Sequence, residues 1–225
     1  MIAAFFLVKI SMNLSTYVLL KLFHIRFDYH PLTINYPSYS GGSWTTAKVM
    51  IVYLIMPLLW LGLGYFLTLL LKRIKRISWR PRLFLTWIAF FLVVQFAAGM
   101  FASIFIVDEI GYSLGLGFSN PFMRAIPATI VIVATLIFRP FFTALFLRTA
   151  YKKQFVSNHQ WKGDFLNWIF IYSWLIGFVI ILPIVFFSGL YFISLSLIGT
   201  AILALPIVGR NIPAKTPFCV FESEE

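Results

Sequence analysis

Long apolar runs alternate with short polar or basic segments from one end of the chain to the other. An α-helix rises about 1.5 Å per residue, so about twenty apolar residues cross a hydrocarbon core of about 30 Å. Runs of roughly this length lie at about residues 1–23, 47–71, 83–107, 122–147, 165–187 and 189–208. The pattern predicts an all-α, polytopic integral membrane protein whose single domain, residues 1–208, is a six-transmembrane-helix bundle.

The composition supports a membrane protein without a sizeable soluble domain. Hydrophobic residues make up 61% of the 225 residues and charged residues only 11%, whereas soluble domains contain about 25% charged residues. The first run is the least regular, because Lys9, Asn13 and Lys21 interrupt it. The remaining polar material is a turn-rich loop at 24–46 and a tail at 209–225, for which the sequence predicts no regular structure.

Basic residues concentrate in the loops on one side of the predicted bundle. Six of them follow the second run: Lys72, Arg73, Lys75, Arg76, Arg80 and Arg82. Four more follow the fourth run and two lie in the tail, so this side holds twelve, against three on the opposite side. Short cytoplasmic loops are enriched in Lys and Arg. The distribution therefore predicts that both termini are cytoplasmic if the first run crosses the membrane. If it does not, the prediction is five spans with the N-terminus outside.

The formal net charge of +11 indicates contact with anionic lipid headgroups and not with nucleic acid. The positive charge lies in short loops beside apolar runs, where headgroups are found, and no soluble domain presents a basic face to phosphates. The expected location is the plasma membrane, which is the inner membrane if the source is bacterial. The single cysteine, Cys219, excludes an intramolecular disulfide.

A glycine-rich stretch after the third run, residues 111–117, contains the pattern G-x-S-x-G with Ser113 at its centre. In hydrolases this pattern places a serine nucleophile on a sharp turn between a strand and a helix. A catalytic set can be written with His30 or His24 as the base and Asp28 or Asp108 as the orienting acid. The preceding element is a predicted membrane helix, however, so the required strand is missing and the pattern favours a flexible outer loop.

The segment with His24, Asp28 and His30 also raises the question of a metal site. Zinc sites use such side chains at short spacing, but the sequence has no H-E-x-x-H pattern and no clear third ligand. Haem ligation in the bilayer would need histidines in the runs, and the second to sixth runs contain none. We therefore predict no metal site and no cofactor.

Of the polar side chains within the apolar runs, three are candidates for an internal polar or substrate-binding site. They are Arg139, Gln95 and Lys9. Charged groups at bilayer depth are costly and commonly functional, although Arg139 can also extend its side chain toward the cytoplasmic headgroups. No Asp or Glu lies deep within a run, which disfavours a carboxylate proton relay.

These patterns favour a non-catalytic, multi-pass membrane subunit or scaffold that packs against other membrane protein subunits. An enzymatic role is disfavoured because no complete catalytic set is present. One alternative is a small-solute or ion transporter or channel that uses Arg139 and Gln95, with helix kinks at Pro127 and Pro140. The other is an outer-face membrane hydrolase that uses Ser113.

The predicted orientation can be tested by cysteine labelling in sealed cells after Cys219→Ser. New cysteines at Ser78 and Ser157 lie in the predicted cytoplasmic loops and should be protected from an impermeant thiol reagent. A cysteine at Ser40, in the predicted outer loop, should react. Labelling at Ser78 without labelling at Ser40 would reverse the orientation.

Overall fold

The computed structural model describes residues 1–30, 33–35, 44–74, 77–107, 109–118, 120–150, 159–187 and 193–200. Five helices in this part of the chain are long and apolar enough to cross a membrane: Ile2–Leu22, Thr46–Arg73, Trp79–Phe105, Pro121–Leu147 and Gln160–Phe187. They correspond to the first five predicted runs. Of the sixth run, residues 193–200 are helical, and the other residues lie outside the described part, as does the tail.

We number the elements in chain order. The first helix, α1, is Ile2–Leu22, and α2 is Thr46–Arg73 with a π-helical turn at Ile51–Ile55. Helix α3 is Trp79–Phe105 and α4 is Ile110–Gly117. Helices α5 and α6 are Pro121–Ile137 and Arg139–Leu147. Helix α7 begins with His159–Leu166, passes through a π-helical turn at Asn167–Tyr172 and ends with Ser173–Phe187; α8 is residues 193–200.

The predicted all-α class is confirmed for the described residues, apart from a short β-hairpin in the loop after α1. Strand β1, Asp28–His30, pairs antiparallel with β2, Thr33–Asn35, so that Tyr29 lies opposite Ile34. Each strand has only three residues. The hairpin is therefore a local feature of the loop, and the rest of the described fold is helical.

Helix α3 is the centre of the bundle. Of its most apolar 18 residues, 78% are buried, against 17–29% in the other four membrane-length helices. Every residue from Ala89 to Met100 is buried, as expected for a helix that is apolar on all sides. The neighbouring helices pack around it and present their other faces outward.

An aromatic cluster fixes α3 against α6 and α7. The rings of Trp87 and Phe170 stack with their centroids 5.2 Å apart and an interplanar angle of 2°. Phe90 meets Phe170 edge-on at 5.2 Å, and Phe146 lies 4.8 Å from Phe170. Aromatic pairs of this kind contribute about 0.5–1.5 kcal/mol each beyond their buried area. The cluster therefore fills the space between three helices with rigid rings.

Close approach of α2 to α3 depends on Gly64. A Cβ atom at this position would lie 2.6 Å from the Leu92 Cβ and 3.1 Å from the Val93 backbone nitrogen. Small residues permit such backbone proximity between membrane helices, where packing drives association. Gly62, two residues earlier, has no neighbour within 4 Å of its Cβ position among the described residues. The two glycines therefore differ in structural role.

The predicted flexible loop after the third run is wrong, because residues Ile110–Gly117 form helix α4. This helix folds back on α3 with Ile110 and Leu114 buried. A Cβ at Gly99 of α3 would lie 2.7 Å from the Ile110 Cδ1 atom. The missing side chain of Gly99 therefore makes room for Ile110, and apolar packing stabilises a segment that glycine content alone suggests is mobile.

We expect Gly64→Ala to destabilise the protein by about 1–3 kcal/mol, because the added methyl group overlaps Leu92 and forces α2 away from α3. Gly62→Ala is the matched control. It should be neutral, or stabilising by up to about 1 kcal/mol through helix propensity. Thermal unfolding midpoints in detergent, followed by circular dichroism, measure both. Equal midpoints for the two variants would contradict the packing role of Gly64.

Candidate functional site

Lys9, an interruption in the first apolar run, is buried in the bundle and forms an ion pair with a partly exposed carboxylate. Its residue is 3% exposed, and its Nζ lies 2.9 Å from the Oε1 of Glu109. Glu109 precedes α4 with a backbone φ of 43°, in the region that non-glycine residues seldom adopt. A lysine in a membrane is costly unless paired. The carboxylate provides that pair and ties α1 to the α3–α4 connection.

Gln95, in the middle of α3, is buried and faces α8. Its Nε2 lies 3.4 Å from the Oγ of Ser196, and the Thr200 hydroxyl donates to the Ser196 carbonyl at 2.9 Å. Amide and hydroxyl groups of this kind join helices in membranes. The contact therefore links α8 to the central helix.

Arg124 is a buried cation that the sequence suggested only as one of three basic residues on the outer side. It lies near the start of α5, is 5% exposed, and its Nη1 donates to the Ser103 carbonyl of α3 at 2.9 Å. Its Nε has no hydrogen-bond partner among the described residues.

A further interhelical contact, from Trp60 Nε1 to Ser15 Oγ at 3.0 Å, joins α2 to α1.

The basic residues after α2 are divided between the surface and the interior. Lys72, Arg73 and Arg80 are exposed, as headgroup contact requires. Arg82 is only 2% exposed, and its Nη2 donates to the Ile74 carbonyl at 2.7 Å, so this guanidinium anchors the α2–α3 connection. Lys75 and Arg76 lie outside the described residues.

The proposed catalytic serine does not occupy a nucleophile elbow. Ser113 lies within helix α4, is buried, and its hydroxyl donates to the Ile110 carbonyl at 2.8 Å. His30 and Asp28 belong to β1, and their side chains lie outside the described part of the chain. A strand, turn and helix are what the hydrolase pattern needs, whereas here a helix surrounds the serine. The geometry thus gives no support to the hydrolase alternative.

The backbone of Arg139 begins α6 after a break at Phe138, and its side chain lies outside the described part. Across the described residues, no three His, Cys, Asp or Glu side chains come together in a way that would hold a metal ion.

A groove lies where α3 and α7 begin, at the end of the bundle that carries the basic loops. We call it the tryptophan groove. It is half-open, has a volume of about 730 Å³, and is lined on its apolar side by Trp79, Trp161, Trp168, Leu83, Phe165 and Ile169. Its polar lining consists of Gln160, Asp164 and Ser173. The sequence does not reveal this groove, because its lining residues come from two segments that are far apart in the chain. The sequence signal that points to it is the presence of tryptophans next to basic loops, which is typical of a membrane interface.

The chain matches no protein-family model, and comparison with curated proteins and with solved structures finds no similar protein.

We expect Lys9→Met to reduce the free energy of unfolding by about 1–3 kcal/mol, because it leaves Glu109 without its cation. Glu109→Gln should also destabilise, and the double variant should lose less than the sum of the two, with a coupling of at least about 0.5 kcal/mol. Unfolding by SDS in mixed micelles measures each value. Lys21→Met, at an exposed position of the same helix, is the control; additive effects of the first two changes would contradict the ion pair.

Proposed function

We propose that the protein is a non-catalytic membrane subunit or scaffold that packs laterally against other membrane proteins, in the plasma membrane or the inner membrane of a bacterium. The main support for this proposal is that polar groups in the interior of the bundle bond to other parts of the same chain. Lys9, Gln95 and Arg124 each bond to another element of the same chain. Their contacts serve assembly of the bundle.

The centre of the bundle supports the same conclusion. Trp87, Phe90, Phe146 and Phe170 fill the space between α3, α6 and α7 with ring contacts of 4.8 to 6.3 Å. Well-packed interiors lose stability when side chains must shift. A solute pathway through this part of the bundle would require several rings to move together, which favours a structural role.

The outer faces offer wide apolar surface for neighbouring proteins and lipids. Helix α1 exposes large side chains at helical spacing: Leu7, Ile10, Leu14, Val18 and Leu22. Helix α5 exposes a similar stripe: Phe122, Ile126, Ile130, Val133 and Ile137. Such faces suit lipid tails as well as a neighbouring helix, because association in a membrane depends on close packing and interhelical hydrogen bonds. In this proposal the exposed basic residues contact anionic headgroups around the assembly.

The alternative, a small-solute carrier or channel, is favoured by one feature. Within the span Pro121–Leu147 the helix breaks at Phe138, between α5 and α6, and Arg139 with Pro140 begins the second part. Broken helices form substrate sites near the midplane of many transporters. Arg139 and Gln95 are the side chains that this alternative would use.

Purification of the tagged protein from its native membrane in mild detergent tests the proposal. We expect stoichiometric membrane proteins to accompany it, because a scaffold remains bound to its assembly. Gln95→Leu is the informative variant, since it changes an interior contact and leaves the outer faces intact, so the partners should still be recovered. Two results together would contradict the subunit function and support the carrier function. The protein would be monodisperse without partners, and it would transport a solute in proteoliposomes until Gln95→Leu abolished the flux.

A further inference from the structure

We propose that the tryptophan groove binds one phospholipid with a zwitterionic, ammonium-bearing headgroup from the leaflet at the basic end of the bundle. This inference is independent of the subunit proposal, since it concerns a different face and a different ligand.

The position and depth of the groove match a lipid. Trp79 and Trp161 lie in the first turns of α3 and α7, at the level where aromatic belts meet headgroups. Ser173, at the other end of the lining, lies thirteen residues after Gln160, which corresponds to about 20 Å along a helix. The groove therefore extends from the interface well into the depth of the acyl chains. Its volume of about 730 Å³ is within the usual range for ligand sites of about 300–1,000 Å³.

The headgroup end offers a partner for an ammonium ion. Asp164 is exposed in the groove wall, in a chain that has only seven acidic residues. Trp161 and Trp168 are exposed beside it, at 50% and 73%. Indole faces attract ammonium groups through the ring quadrupole, and a nearby carboxylate adds a direct charge interaction. A carboxylate and several tryptophans together favour a cationic group over an anionic one.

A cation that contacts a lining residue, but is not itself in the lining, complements the phosphate of the same lipid. The guanidinium of Arg80 lies 5.3 Å from the centre of the Trp79 ring, and Trp79 lines the groove. Guanidinium groups bind phosphate strongly through paired N–H donors. One negative and one positive side chain thus match a zwitterion. An anionic headgroup without an ammonium would gain the Arg80 contact but would meet repulsion from Asp164.

The deeper part of the groove suits one acyl chain. Leu83 and Phe165 provide apolar walls, and Ile169 lies on the π-helical turn of α7 together with Trp168. A π-helical turn is wider than an α-helical one, and such turns frequently lie at functional sites. The turn thus gives a local physical reason for the position of Trp168 and Ile169 in the lining.

The proposal can be tested by native mass spectrometry of the protein in detergent. The protein is titrated with phosphatidylethanolamine or with phosphatidylglycerol of identical acyl chains, and the affinity for the first bound lipid is measured. The first phosphatidylethanolamine should bind about tenfold more tightly, as expected for one ammonium–carboxylate contact and one ammonium–indole contact together. Asp164→Asn should reduce this preference to within about twofold, and Asp164→Glu should retain it.

Trp168→Leu should weaken phosphatidylethanolamine binding several-fold, whereas Phe122→Leu, an equally exposed aromatic change outside the groove, should leave it unchanged. Unchanged thermal midpoints for the Asp164 variants distinguish loss of binding from loss of fold. Equal binding of the two lipids to the wild-type protein would overturn the proposal, as would a preference that survives Asp164→Asn. Recovery of a partner protein that excludes lipid from Trp168 would also overturn it.

Discussion

Burial of α3 on every side is the constraint on which the remaining structure depends. A helix without a lipid-facing stripe must be surrounded by other helices, and α1, α2, α5, α6 and α7 take those positions. Close contact requires glycine where a neighbouring helix or a bulky side chain approaches, which explains Gly64 against α3 and Gly99 against the side chain of Ile110. It also requires that the buried polar groups of α3 find protein partners, since an unpaired polar group in an apolar interior is costly. Gln95 with Ser196, and the Ser103 carbonyl with Arg124, are the resulting contacts.

The membrane class and the lengths of five helices could be predicted from the sequence, because run length follows directly from bilayer thickness. The packing arrangement could not. In a soluble protein a polar face marks the outside of a helix, but here the lipid-facing and buried residues are both apolar. Phe122 is 83% exposed and Phe142 is 2% exposed, although both lie in the same apolar run. The difference between polar and apolar positions, which distinguishes exposed from buried residues in a soluble protein, is therefore absent from the sequence here.

For the candidate polar residues, too, one part could be predicted from the sequence and another part could not. Lys9 and Gln95 stand out in the sequence because polar groups in apolar runs need partners. Their partners could not be identified, since Glu109 lies beyond the end of the third run and Ser196 is one of several small residues in the last one. The G-x-S-x-G pattern around Ser113 was misleading for a related reason. Its chemistry depends on the flanking strand and turn, and the tertiary packing of Ile110 and Leu114 produces a helix instead.

The ion pair between Lys9 and Glu109 has a consequence for biosynthesis. The two residues are 100 positions apart, and chains are synthesised at about 5–20 residues per second. Lys9 therefore emerges from the ribosome about 5–20 s before the carboxylate that neutralises it exists. During that interval α1 cannot hold its final depth in the bilayer without an uncompensated charge. The contact between Lys9 and Glu109, which ties α1 to the α3–α4 connection, can therefore form only after α3 has been synthesised.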